Sequence, residues 1–244
     1  MIGVGFIFTT DINVVAADFP KTKFACVDYA PSPKGIEAPN VLGLAFREEE
    51  GSFLVGAVAG LMTKTKHLGF VGGMDIPLIH RFEGGFRTGI KHVCPACVLH
   101  VAYAGTTPEA FRDPAKGKAV AVSQITAGAD IIYHASGTTG HGVFEAAKDM
   151  GVKAIGVDSD QHDEMPGTVI TSMIKRVDVA VFDTIREVGS RQFRPGMRTF
   201  GVAEQGVDYI HKGPHGAQIP AAVKERVERV RAQLAAGTIK VPRK

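Results

Sequence analysis

Short apolar runs alternate along this chain with segments whose apolar residues recur every three or four positions. Residues 2–8, 24–28 and 41–46 are near-continuous apolar runs, the pattern of a strand buried on both faces. A helix is predicted over 51–65, with Ser52 as its candidate N-cap. A strand over 68–73 follows, then a helix over 82–93 with Phe82, Phe86, Ile90 and Val93 on one face, then a strand over 98–103. The alternation continues with helix 114–127, strand 130–134, helix 142–150, strands 154–158 and 169–174, and helix 178–188. Strands alternating with helices of this length predict βαβ units, a mainly parallel sheet and an α/β fold. The last third changes character. Residues 198–202 and 207–210 read as strands around Glu204-Gln-Gly206. A helix from Pro220 carries Val223, Val227, Val230 and Leu234 on one face and stops at Gly237.

Composition narrows the class. With 45% hydrophobic and 22% charged residues among 244, the chain has the make-up of a globular protein large enough to bury a core. Its longest apolar stretch, Phe53 to Met62, falls far short of the roughly 20 residues of a membrane span. The opening residues carry neither a basic n-region nor a cleavage signal, so no secretory signal is expected in this chain. The net charge of +3 comes from the tail, since the segment from Ala221 onward holds the basic excess. A nucleic-acid partner, which would need a basic patch on the folded body, is therefore not expected. Three cysteines are too few for a disulfide framework.

In open α/β sheets ligands bind beyond the carboxyl ends of the strands. Here those ends offer aromatics, carboxylates and small polar groups, without a clustered His/Cys set or a Gly-x-Ser-x-Gly elbow. That inventory suits holding a flat polar molecule better than breaking a bond. No catalytic pair, metal site or cofactor is expected. Cys94-Pro-Ala-Cys97 falls in a helix-to-strand connection and has no second Cys-x-x-Cys; a local disulfide is favoured over a redox or zinc role.

Several motifs, in order, carry a resemblance. Gly69-Phe-Val-Gly-Gly-Met-Asp-Ile-Pro77 with Arg81-Phe-Glu-Gly-Gly-Phe86, Tyr103-Ala-Gly-Thr106 and Asp113-Pro-Ala-Lys-Gly117 resemble the basic membrane protein family of substrate-binding lipoproteins. So do His134-Ala-Ser-Gly-Thr-Thr-Gly-His-Gly-Val-Phe144, Gly156-Val-Asp-Ser-Asp-Gln161 and Thr171-Ser-Met-Ile-Lys-Arg-Val-Asp178. This family includes purine nucleoside receptors of bacterial ABC importers. The resemblance implies a type I periplasmic-binding fold of two α/β lobes joined by a hinge. The first lobe would comprise residues 1–51 and 176–244, the second 52–175. Family members usually carry two further βα units before the segment matching Ile2, so the first lobe is expected to be incomplete, exposing a sheet edge and an apolar face.

The resemblance also proposes site residues. Asp158 would accept both vicinal ribose hydroxyls, its alternative being a turn cap; Asp160 would be structural. Lys175 would donate to ribose oxygens, or else form a hinge salt bridge. Tyr103 would stack on a base, or else pack on a loop at the rim. Gly137, in Gly137-Thr-Thr-Gly140 before a helix, would bring backbone N–H groups to the ligand, or else only make a tight turn. Phe6 and Asp75 are weaker candidates: a core phenylalanine or cleft floor, and a turn cap or ligand contact. The function implied is capture of a purine nucleoside or nucleobase by lobe closure, without chemistry. Its partners would be the small-molecule ligand and the membrane subunits of an ABC transporter, and its place extracytoplasmic. A cytoplasmic regulator of the same fold is the alternative, and a nucleoside-acting enzyme the remotest.

Overall fold

The structure is a computed structural model that describes residues 1–31 and 38–243. In chain order its elements are β1 (Ile2–Val4), α1 (Thr9–Asp18), β2 (Phe24–Val27), β3 (Val41–Phe46), α2 (Glu48–Met62), β4 (His67–Met74), α3 (Pro77–Val93), β5 (Val98–Gly105), α4 (Pro114–Thr126), β6 (Ile131–Ala135), α5 (Thr139–Asp149), β7 (Lys153–Asp158), β8 (Val169–Lys175), α6 (Val177–Gly189), β9 (Gly196–Phe200), β10 (Val207–Tyr209), α7 (Gly213–Gly216) and α8 (Ala221–Ala235). Contacts divide them into two compact units, Met1–Arg47 with Arg176–Gly206, and Glu48–Lys175 with Val207–Lys244.

The first unit holds a parallel four-stranded sheet in the order β1-β2-β3-β9. The apolar run expected as one strand over 2–8 breaks after Val4. Gly5 takes φ +114, a conformation open to glycine, and Phe6–Phe8 form a single 3-10 turn leading into α1. α1 had no counterpart in the sequence pattern, because only Ile12 and Ala16 of its ten residues are buried. Asn40 secures the chain after it: its amide nitrogen donates to the carbonyls of Ala16, Phe19 and Thr22 at 2.9–3.1 Å. β1 is an edge strand, and Val4, Val14, Phe19, Phe182 and Ile185 of this unit are exposed.

The second unit holds a six-stranded sheet in the order β10-β8-β7-β6-β4-β5, parallel except for β10. α2 packs against α3 and α8, and α4 against α5. The sequence pattern and resemblance assign residues 1–51 and 176–244 to the first lobe; the opening segment of the observed first unit ends at Arg47. The segment from Val207 belongs with the second instead, because β10 pairs antiparallel with β8, Val207 opposite Lys175, and α8 packs on α2. α8 ends at Ala235, and Gly237, the expected stop, follows its C-cap: Gly237 has φ +71, and the Thr238 N–H returns to the Gln233 carbonyl at 2.9 Å.

α2 starts at Glu48, earlier than expected, with Glu48, Glu49 and Glu50 in its first turn, where carboxylates favour the positive end of a helix. Ser52 is therefore not an N-cap. It lies inside the helix, fully buried, with its hydroxyl 3.1 Å from the Tyr133 phenol. Tyr133 in turn packs on Phe86 and Phe70, with ring centroids 4.9 and 5.6 Å away. α2 and α3 approach backbone to backbone, and a Cβ at Gly89 would run into the Phe53 carbonyl. Gly89→Val is accordingly expected to lower stability by about 1–3 kcal/mol, read as a lower denaturant midpoint with an unchanged slope.

Candidate functional site

Register brings the carboxyl ends of the second unit's strands to one edge. Tyr103 on β5 and Ala135 on β6 both stand opposite Gly72 on β4. Asp158 at the end of β7 faces Ile174, and Lys175 closes β8. β4 and β6 are neighbours, but β4 leads to β5 on one side and β6 to β7 on the other. This is the topological switch point at which open α/β sheets hold ligands. Five of the six expected site residues, Tyr103, Asp75, Gly137, Asp158 and Lys175, belong to this edge or the turns just after it. Phe6 lies in the first unit, half-buried in the turn after β1.

Tyr103 lies across Gly72, where an added Cβ would start 2.5 Å from its ring. The edges of Phe70 and His80 meet it at centroid distances of 6.3 and 5.5 Å. Its hydroxyl donates to Glu83 Oε2. Burial first, and then the Glu83 carboxylate, push the phenol well above its usual range, so it remains a neutral donor. Asp75 is exposed, and its Oδ1 stands 2.6 Å from His80 Nε2.

Gly137 takes φ +56, in the turn from β6 into α5. The Phe111 carbonyl stands 3.1 Å from where a Gly137 Cβ would lie, and the Phe111 ring covers Gly73. Phe111 thus brings an aromatic to the switch point that no spacing in the sequence announced; its position comes from the Pro108–Phe111 turn, pinned where Thr139 Oγ1 donates to the Ala110 carbonyl at 2.8 Å.

Asp158 is exposed and has φ +67, in the left-handed region that aspartate tolerates better than most residues. Behind it Gln161 is buried; its Oε1 accepts from the Val157 N–H at 2.7 Å and faces His134 Nε2 at 3.1 Å. Lys175 is buried, with Nζ 3.6 Å from Glu48 Oε1, while Arg81 Nε stands 2.9 Å from Glu48 Oε2. The Glu48 side chain is fully buried. The sequence reading allowed Lys175 a salt bridge but did not find its partner, which is distant in the chain. Cys94 and Cys97 form a disulfide at the end of α3.

The profile described as "ABC transporter substrate-binding protein PnrA-like", that of the Bmp family, matches residues 1–242. The chain belongs to the Bmp family. It is 38% identical to the "CD4+ T-cell-stimulating antigen" of Listeria monocytogenes, over 99% of this chain and 70% of that protein. It is 31% identical to the "ABC transporter nucleoside-binding protein BmpA" of Lactococcus lactis, over 100% of this chain and 71% of that protein. Among solved structures, an ABC transporter solute-binding protein from Aeropyrum pernix superposes with a TM-score of 0.84 at 28% identity, covering 100% of this chain and 78% of that one. This Bmp chain therefore has the type I periplasmic-binding-protein fold and is an ABC transporter substrate-binding protein. Among its described residues no helix is long and apolar enough to cross a membrane.

Proposed function

We propose that this Bmp protein captures a purine nucleoside outside the cytoplasm and presents it to the membrane subunits of an ABC importer, without altering it. The observation that carries the reading is the set of groups at the switch point: a carboxylate at Asp158, the aromatic rings of Tyr103 and Phe111, and the backbone turn at Gly137. A nucleoside needs those groups: a carboxylate for two vicinal hydroxyls, a ring face for the base, and backbone groups for its remaining polar atoms. The name of the Lactococcus relative points to the same ligand class. In this reading Asp158 accepts from the ribose, and Lys175, whose ammonium has three donors, gives to ribose oxygens while Glu48 holds it. Asp75 orients His80 against Tyr103, and Phe6 is left outside the polar contacts.

Calorimetric titration with inosine tests this. One saturable site is expected. Asp158→Ala should weaken it about 10- to 100-fold, the loss of charge-assisted hydrogen bonds. Phe111→Ala should weaken it about tenfold, the lower end of what one base–aromatic stack contributes. Tyr103→Phe should change affinity little, since its hydroxyl is committed to Glu83. Absence of heat with both inosine and adenosine would sink the nucleoside reading.

A further inference from the structure

Away from the switch-point groups, two imidazoles and two carboxylates converge where the connection from β7 to β8 meets the segment before α8. His162 and His215 stack with ring centroids 4.2 Å apart. His162, Asp163 and His215 each offer one ligand atom, and the three atoms lie within 4.8 Å of one another.

The hydrogen bonds around these residues determine which atoms are left to bind. His162 Nδ1 is 2.9 Å from the Val169 carbonyl, which can only accept, so Nδ1 carries the proton and Nε2 keeps its lone pair. His215 Nδ1 stands 2.7 Å from Asp160 Oδ2, which leaves Nε2, now paired with Asp163 Oδ1 at 3.3 Å, as the nitrogen that can turn to a metal ion. Asp160 is itself held, its Oδ1 accepting the His162 backbone N–H at 3.1 Å. A backbone carbonyl behind one imidazole and a pinned carboxylate behind the other is the outer arrangement that orients histidines toward a metal ion. Asp163 is 83% exposed, so the remaining coordination positions face water.

We propose that His162, His215 and Asp163 bind a divalent transition-metal ion of the Zn²⁺ class, with Asp160 and the Val169 carbonyl as the outer supports of the two imidazoles. Two imidazoles and one carboxylate form a ligand set suited to Zn²⁺, and the hard cations Ca²⁺ and Mg²⁺ would prefer all-oxygen sites. In the metal-free protein the Asp163–His215 ion pair occupies the position the ion would take. A bound ion would tie the β7–β8 connection, which begins just after Asp158, to the chain that leads into α8. This site does not depend on the nucleoside reading.

The test uses the full chain, freed of metal with chelator, exchanged into chelator-free, non-reducing buffer so that the Cys94–Cys97 bridge stays closed, and titrated with ZnCl₂ alone. One site is expected by calorimetry, and a melting temperature about 5–10 °C higher at a hundredfold excess over Kd. His215→Gln and His162→Gln should each weaken Zn²⁺ binding more than about 100-fold, a ligand loss exceeding what an outer support contributes; Asp160→Asn should weaken it about 10- to 100-fold. Each variant is first checked to melt, without metal, as the metal-free wild type does. His100→Gln removes one member of the other close imidazole pair, His67 with His100 at 3.1 Å, and should leave Zn²⁺ binding unchanged. Absence of Zn²⁺ binding, or binding that survives His215→Gln and His162→Gln, or binding that is lost in His100→Gln, overturns the assignment.

Discussion

Glu48→Ala is expected to destabilise the protein by about 3–5 kcal/mol, the usual cost of breaking a buried ion pair by removing one partner. The Glu48 side chain is fully buried, and the Lys175 side chain is only 4% exposed. Removing the carboxylate leaves the Lys175 ammonium without that counter-charge and takes from Arg81 a partner at 2.9 Å. It also removes one of three acids from the first turn of α2, a smaller loss. The measurement is urea unfolding followed by circular dichroism, with the midpoint falling and the slope unchanged. The double variant Glu48→Met with Lys175→Met should recover the part of the loss that comes from the buried Lys175 ammonium, because two apolar side chains do not need a counter-charge, while the loss at Arg81 remains. A loss below about 1 kcal/mol in the single variant, the range of surface ion pairs, would show that the site is hydrated and screened. The position adds consequence to the pair: Glu48 follows the first passage of the chain from one unit to the other, and Lys175 precedes the next.

How far the sequence could be read depended on how local the deciding interactions are. Three parallel strands of the second unit, β4, β6 and β8, are buried along most of their length and begin or centre on short apolar runs, so they were legible. α3 was legible only from Phe82, although it begins at Pro77. Proline at its first position and buried Ile79, one turn before Phe82, were the available signals. α1 was not legible, since a helix that buries two side chains leaves almost no periodic stripe. The motif Gly-Val-Asp-Ser-Asp placed Asp158 at the strand end where it stands, but its left-handed backbone could not be inferred from residue type. Phe111 and Glu48 were missed for another reason. Each reaches its place through contacts with residues far along the chain, Gly73 and Gly137 for one and Lys175 for the other, and no local pattern encodes such contacts. The break in the chain's return was missed likewise, because the pairing of β10 with β8 is a tertiary choice.

Acid should destabilise the protein through His134. This residue on β6 is fully buried, with its ring edge-on to Phe144 at 4.9 Å. Gln161 Nε2 donates to Glu164 Oε1 at 3.0 Å, which turns Gln161 Oε1 toward His134 Nε2. Nε2 therefore carries the proton, and Nδ1 accepts from the Ser136 hydroxyl at 3.3 Å. Burial, which opposes the charged imidazolium, lowers its pKa from 6.5 to about 4; the hydrogen bond to Gln161 pulls the other way and His141 adds a smaller lowering. The sign follows from proton counts. Between pH 6.5 and about pH 4 the unfolded chain holds a proton at His134 that the folded chain refuses. Stability is therefore complete above pH 6.5 and falls as the pH drops to about 4, by up to about 3 kcal/mol in all. Urea unfolding of wild type and His134→Gln at half-unit intervals from pH 7 to pH 4 isolates this group, since other titrations cancel in the difference. The glutamine amide can still donate to Gln161 Oε1 and does not titrate. The difference curve should be flat above pH 6.5 and shift toward the variant by about 3 kcal/mol by pH 4. Parallel curves would mean that His134 takes up its proton equally well in the folded protein, and that its burial between Gln161 and Ser136 exerts no control over its charge.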